Sequence, residues 1–184
     1  YISLEGINAQ ISVPEHLYKK LKIILLSYDF IKTTDIKKAI QEGISFYKLT
    51  IKVRKELVAY GVQKDTYDMN KVGEHLNAVD YNKAIDDKDS IIVDMRNYYE
   101  SEIGKFNNAI IPNVETSKEL LPEVKKILKG KEKKSILLYC TGGIRCEKAS
   151  SYLIKNGFEK VKQLKGGIIQ YLSLIHISEP TRLG

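Results

Sequence analysis

The chain contains no tryptophan, only two cysteines, two methionines, three histidines and four prolines in 184 residues. Each scarcity removes a class of protein. The two cysteines, Cys140 and Cys146, are too few for a disulfide framework and too close together for a spread-out zinc site, so no metal is expected. No apolar run approaches the roughly 20 residues that span a bilayer, and no basic-then-apolar leader stands at the start; no membrane association is expected, and a cytoplasmic location is. The chain opens Tyr1-Ile2-Ser3 without an initiator Met, which reads as a truncated beginning. What is present is ordinary for a globular chain: 43% apolar and 29% charged residues, with a net charge of +7. The positive excess is shared by both halves and fits a polyanionic partner without identifying one.

Patterning along the chain changes near residue 74. Before it, Gly6 to Val13 and Phe46 to Arg54 alternate apolar and polar as half-buried strands do, and Pro14 opens a helical stretch reaching about Leu26. Residues 1–60 thus read as a small α+β domain. Residues 61–73 mix Gly, Asp, Thr and Asn without periodicity and read as a linker. From Glu74 to Tyr171, short apolar runs (Ser90 to Asp94, Ser135 to Tyr139) alternate with helical patterns at Ser117 to Leu128 and Cys146 to Asn156, with Gly157 placed to end the latter and Val161 to Leu164 read as a further strand. That alternation predicts an α/β domain: a parallel sheet flanked by helices, with ligands favoured beyond the carboxyl ends of the strands.

Cys140 directly follows such an end. The loop Cys140-Thr141-Gly142-Gly143-Ile144-Arg145 lies between a strand and a helix. Its glycines let backbone N–H groups turn inward as an anion nest, and the following helix adds its positive end. A thiol there should ionise easily, and a low-pKa thiolate serves as a nucleophile or as the carrier of a persulfide or sulfenate. Cysteine phosphatases place five residues between nucleophile and arginine, whereas four separate Cys140 from Arg145. The shorter loop suits a compact, sulfur-sized anion better than phosphate.

Several neighbours carry two readings each. Arg145 either neutralises an anionic intermediate or pins the loop to a carboxylate. Asp94 and Arg96, at a strand end, are expected as a structural pair shaping the pocket rather than a proton relay. Cys146, expected as the first residue of the next helix, is either packed or a resolving thiol for an oxidised Cys140. Glu147 and Lys148 are expected on the helix surface or against RNA, and Lys48, Lys52, Arg54 and Lys55 are candidate phosphate contacts on a strand face.

Three separated motifs agree in order and spacing with one family. The Cys140 to Ser150 run, Val93-Asp94-Met95-Arg96-Asn97 and Glu5 to Gln10, together with Lys52 to Lys55 and Lys165-Gly166-Gly167-Ile168-Ile169, resemble the bacterial tRNA uridine(34) hydroxylases, a rhodanese-domain group. The resemblance covers nearly all of residues 1–171. It implies a partial ferredoxin-like, acylphosphatase-like domain followed by a rhodanese domain. It further implies tRNA as partner, molecular oxygen as co-substrate with no bound cofactor evident, and hydroxylation of the wobble uridine to 5-hydroxyuridine with Cys140 essential. A rhodanese-type sulfurtransferase carrying a persulfide on Cys140 is the alternative, and a non-enzymatic RNA-binding module a third. The first-region motifs favour the hydroxylase, because a stand-alone rhodanese does not need them. The oligomeric state is not set by the sequence.

The pattern is departed from in places. Gly104-Lys105 stands where Gly-His is usual, Asn108 replaces a frequent Gly, and a cysteine-rich carboxyl-terminal continuation is missing. Leu172 to Arg182 is instead what one reading frame of a transposon-based sequencing adapter encodes, so residues 172–184 are expected to be foreign and His176 is excluded from catalysis.

Overall fold

The computed structural model describes residues 1–32, 36, 38, 43 and 45–175. The chain divides into two compact units, Tyr1–Leu57 and Val58–Gly184. Residues 176–184, including His176, lie outside the described residues.

In the first unit the expected helix forms as α1 (Glu15–Leu26) behind Pro14, a residue suited to a helix start because it has no N–H to leave unpaired. The expected strands are much shorter than their patterns. β1 (Ile2–Ser3) pairs antiparallel with β2 (Gly6–Ile7), and the 46–54 stretch contributes one parallel bridge, Ile2 to Val53. Alternation becomes a strand only where a neighbour supplies hydrogen-bond partners. Among the described residues Ile2 does so at Lys52 and Arg54, whereas Tyr47, Leu49 and Ile51 stay exposed. Glu5 secures the end of this unit by accepting the Leu57 N–H at 2.8 Å.

The second unit is a four-stranded parallel sheet. Its strands are β3 (Glu74–Leu76), β4 (Ser90–Asp94), β5 (Ser135–Tyr139) and β6 (Lys160–Leu164), in the order β3-β6-β5-β4. Helices α2 (Ala78–Ile85), α3 (Tyr98–Ile103), α4 (Ser117–Ile127), α5 (Ile144–Lys155) and α6 (Gly167–Ile175) connect and follow them. Both faces of a parallel sheet are covered, and here each has its own apolar cluster. Side chains of β5 alternate between them: Ile136, Leu138 and Cys140 enter the cluster of α4 and α5, while Leu137 and Tyr139 enter the cluster that holds Tyr81, Phe106 and Tyr171. Leu120, Leu121 and Val124 line the buried side of α4, and truncating the fully buried Leu121 to Ala would cost about 2–5 kcal/mol. No helix of the described residues is long and apolar enough to cross a membrane.

The stretch 61–73 has only a short 3-10 turn (Lys64–Thr66), yet it does not hang free. Tyr60, just before it, is fully buried, the Asp68 N–H donates to Ser151 Oγ, and the Gly73 N–H donates to Ser150 Oγ. Residues 58–73 therefore belong to the second unit, laid along α5. Asn108 adopts φ 62, the left-handed conformation in which Gly is easiest and Asn is among the better tolerated replacements.

Candidate active site

The loop after β5 is shaped from beneath and from both sides. Gly143 sits at φ 97 and caps α5, so the helix begins at Ile144, two residues earlier than its apolar pattern indicates. Cys146 is consequently the third helical residue and not the first. Under the loop, Gly167 (φ 66) lies so close that a Cβ there would meet Thr141 O at 2.5 Å and Cys140 O at 2.6 Å. The Ile168 N–H donates to Cys140 O at 2.9 Å and the Ile169 N–H to Thr141 O at 3.2 Å, so the Lys165-Gly166-Gly167-Ile168-Ile169 motif forms the floor. On the other side, the hydroxyl of the buried Tyr60 donates to Arg145 O at 3.1 Å.

At the centre, Cys140 is 1% exposed and accepts the Gly143 N–H on its sulfur at 3.1 Å. Its thiol pKa falls to about 6. The largest cause is a hydrogen bond from the Cys146 thiol; the Cys146 N–H, the Arg145 charge and the Gly143 N–H act in the same direction, and burial opposes them. Cys146 is fully buried, and burial together with the neighbouring Cys140 pushes its own pKa well up. The two thiols thus differ in role: one ionises near neutrality while the other stays protonated and donates.

Arg145 does not stand open for an anion. Its guanidinium makes two 2.8 Å bonds to the two oxygens of Glu100 and a third to Thr141 Oγ1, and Thr141 in turn hydrogen-bonds Glu100. Glu100 also accepts the Asn97 N–H as the capping residue of α3. Burial raises its pKa, but these bonds and the Arg145 charge win and bring it to about 2. Glu100 escaped the sequence reading. Its one available signal was the capping pattern Asn97-x-x-Glu100, which points to a helix start and not to the loop 45 residues away.

Asp94 and Arg96 are buried and paired, with bonds of 3.0 and 2.7 Å from Arg96 Nε and Nη2. Asp94 also accepts from Tyr139 OH at 2.7 Å and Ser101 Oγ at 2.8 Å, and Arg96 donates to Gly104 O at 2.6 Å. Asp94 shares a register position with Tyr139, on the sheet face opposite Cys140. Its network anchors the carboxyl-terminal half of α3, the helix that carries Glu100. Lys148, expected on the surface, is 1% exposed: its ammonium donates to Val58 O at 3.0 Å and lies 4.6 Å over the Tyr67 ring. The cause is the 58–73 stretch, which covers that side of α5. Glu147 is half-buried, 2.6 Å from His75 Nε2 and accepting from Gln163. Lys48, Lys52, Arg54 and Lys55 are exposed on the first unit, with Arg54 stacked 5.4 Å from the Tyr1 ring centre.

A family model for the rhodanese-like domain matches residues 77–173, which hold three of the four strands, the cysteine loop and its floor. The chain belongs to the rhodanese-like domain family. A second model, the UPF0176 acylphosphatase like domain, matches residues 1–57, so the rhodanese-like part is preceded by an acylphosphatase-like one. Among curated relatives, the tRNA uridine(34) hydroxylase of Leptospira interrogans is 48% identical over 172 residues, 93% of this chain and 47% of that protein. The protein of the same name from Photorhabdus laumondii is 46% identical over 173 residues, 93% of this chain and 49% of its own length. The chain spans about half the length of the curated relatives it matches. Among solved structures, a rhodanese-related protein from Thermoplasma volcanium is 28% identical, covering 58% of this rhodanese-like chain and 95% of its own, with a TM-score of 0.46.

Proposed function

We propose that the complete protein hydroxylates carbon five of the wobble uridine of tRNA, with molecular oxygen as co-substrate and Cys140 as the nucleophile. One observation carries the reading: identity of 46–48% to tRNA uridine(34) hydroxylases runs through both the acylphosphatase-like and the rhodanese-like parts, where a stand-alone sulfurtransferase would match only the second. The chemistry of the loop supports it. Uracil carbon six is electrophilic, and a thiolate added there makes carbon five electron-rich enough to meet oxygen. A thiol with a pKa of about 6 is mostly ionised at neutral pH. A wobble base in a single-stranded loop is unstacked at low cost, so it can reach a site at the strand ends. Lys48, Lys52, Arg54 and Lys55 are exposed and available to the tRNA backbone.

The test uses the complete gene product and unmodified tRNA under heavy-isotope oxygen gas, read by nucleoside mass spectrometry. The label should appear on carbon five of uridine 34, and Cys140→Ser should abolish it. A thiolated nucleoside, or turnover that continues without oxygen, would replace this reading with a persulfide sulfurtransferase.

A further inference from the structure

Insertion of one atom of molecular oxygen at a C–H bond leaves the second atom to be reduced to water, and that requires two electrons the uridine does not supply. The cysteine loop holds a pair of thiols suited to the task. Cys140 opens the loop and Cys146 occupies the first turn of α5; both are free and buried, and both belong to one apolar cluster. Gly143 joins them: its N–H donates to the Cys140 sulfur at 3.1 Å and its carbonyl accepts the Cys146 N–H at 3.0 Å, which sets both cysteines around one turn, and the lowered Cys140 pKa agrees with a hydrogen bond from the Cys146 thiol. The Gly143 turn makes this possible. By starting α5 at Ile144, it sets Cys146 in the first helical turn, with the Cys146 N–H donating to Gly143 O at 3.0 Å.

We propose that Cys140 and Cys146 together are the electron donor of the hydroxylation, closing to a disulfide once per turnover. The inference rests on the hydroxylase reading above and goes beyond it by naming the reductant. The steps balance. The Cys140 thiolate adds to carbon six, and the resulting carbon-five enolate takes up oxygen; the Cys146 thiol proton converts that adduct to a hydroperoxide. The Cys146 thiolate attacks the distal oxygen, breaking the O–O bond, which leaves a carbon-five alkoxide and a sulfenic acid on Cys146. Loss of the carbon-five hydrogen as a proton expels Cys140 from carbon six, restores the ring double bond, and protonates the alkoxide through solvent. The Cys140 thiolate then attacks the Cys146 sulfenic acid, releasing hydroxide and forming the disulfide. One oxygen molecule, one uridine, one thiolate and one thiol yield one 5-hydroxyuridine, one disulfide and one hydroxide. A small-molecule or protein dithiol resets the pair by exchange.

The arrangement assigns Cys146 two successive tasks. Before reaction it holds Cys140 as the thiolate, and afterwards it accepts the oxidation. Burial suits the second, because a sulfenic acid shielded from further oxidant and close to Cys140 meets that thiolate first.

The experiment is a single turnover with the complete protein, reduced and then freed of reductant, mixed with excess unmodified tRNA in air. The expected result is at most one 5-hydroxyuridine per protein, the loss of two titratable thiols in step with product, and a disulfide joining the Cys140 and Cys146 peptides by mass spectrometry. Adding a dithiol should restore multiple turnovers. Product formed while both thiols stay titratable, or many turnovers without any reductant, overturns the proposal and leaves the hydroxylase reading intact. Absence of 5-hydroxyuridine even with dithiol present and oxygen supplied defeats the hydroxylase reading itself. As a second arm, Cys146→Ser should keep binding tRNA and lose at least tenfold in single-turnover yield without reductant; an undiminished yield counts against the proposal.

Discussion

The Glu100 carboxylate grips the Arg145 guanidinium through two parallel bonds of 2.8 Å, tying α3 to the loop that carries the reactive cysteine. A fork-to-fork pair of this kind holds orientation as well as charge. The loop is therefore fastened by a residue 45 positions earlier in the chain.

Glu100→Gln keeps the shape and removes the charge. Because the carboxyl is lowered to about 2 in the folded protein, its contribution to stability is fully present above the ordinary carboxylate range near pH 4.5 and is lost as pH falls towards 2. Allowing for partial exposure, the contribution is roughly 1–3 kcal/mol. Urea unfolding at pH 7 should show Glu100→Gln less stable by that amount, and the gap to wild type should narrow below pH 4.5 and close only as pH falls through about 2. A gap independent of pH would mean that the pair is not what fastens the loop.

The Cys140 thiolate should be visible directly. Thiolate absorbance near 240 nm should rise with a midpoint near pH 6, and the step should vanish in Cys140→Ser. Since the folded pKa lies below that of a free thiol, near 8.5, the associated stability is complete above that value and declines as pH drops through 6. Iodoacetamide should follow the same midpoint but react more slowly than an exposed thiolate, because Cys140 is 1% accessible. A midpoint at or above 8 would remove the activated-thiolate reading.

Three glycines of the site should rank sharply. Gly167→Ala puts a Cβ against loop carbonyls at 2.5 and 2.6 Å and should cost more than about 3 kcal/mol. Gly143→Ala, at φ 97 but with nothing nearer than 3.8 Å, should cost about 1–2 kcal/mol. Gly142→Ala, with open space around its Cβ, should stay within about 1 kcal/mol. Thermal unfolding of the three variants checks the order.

If the first unit tracks an RNA backbone, exchanging Lys48, Lys52, Arg54 and Lys55 for Gln in the complete protein should flatten the dependence of log affinity on log salt by up to about 3. Filter binding of unmodified tRNA across a salt series gives the slope. An unchanged slope takes these four residues off the RNA surface.

In the second unit β4 and β5 were legible because each is a continuous apolar run, and α4 and α5 because they are periodic, whereas β3 (Glu-His-Leu) is too short and polar to show a pattern. Ser90 to Asp94 and Ser135 to Tyr139 coincide with β4 and β5 to the residue. The loop was legible because glycines, a cysteine and an arginine sit side by side. What could not be read were relations between distant stretches. Asp94 falls on the far face of the sheet from Cys140 because the backbone alternates, and it reaches the loop through Tyr139 and through α3. Lys148 is buried because residues 58–73, which carry no periodic pattern, lie over α5 and satisfy its ammonium with a carbonyl and a ring. The first unit's strands were overread, since alternation describes a willing strand and not the partner it needs.

Gly167 makes the tightness of the cysteine loop a joint property of two stretches that never meet in sequence. A wider loop would release Gly167 from being glycine, and a larger residue at 167 would force the loop to widen. Drift in one stretch therefore sets what the other can accept, and a loop transplanted into a scaffold without that glycine beneath it would carry the cysteine but not its geometry.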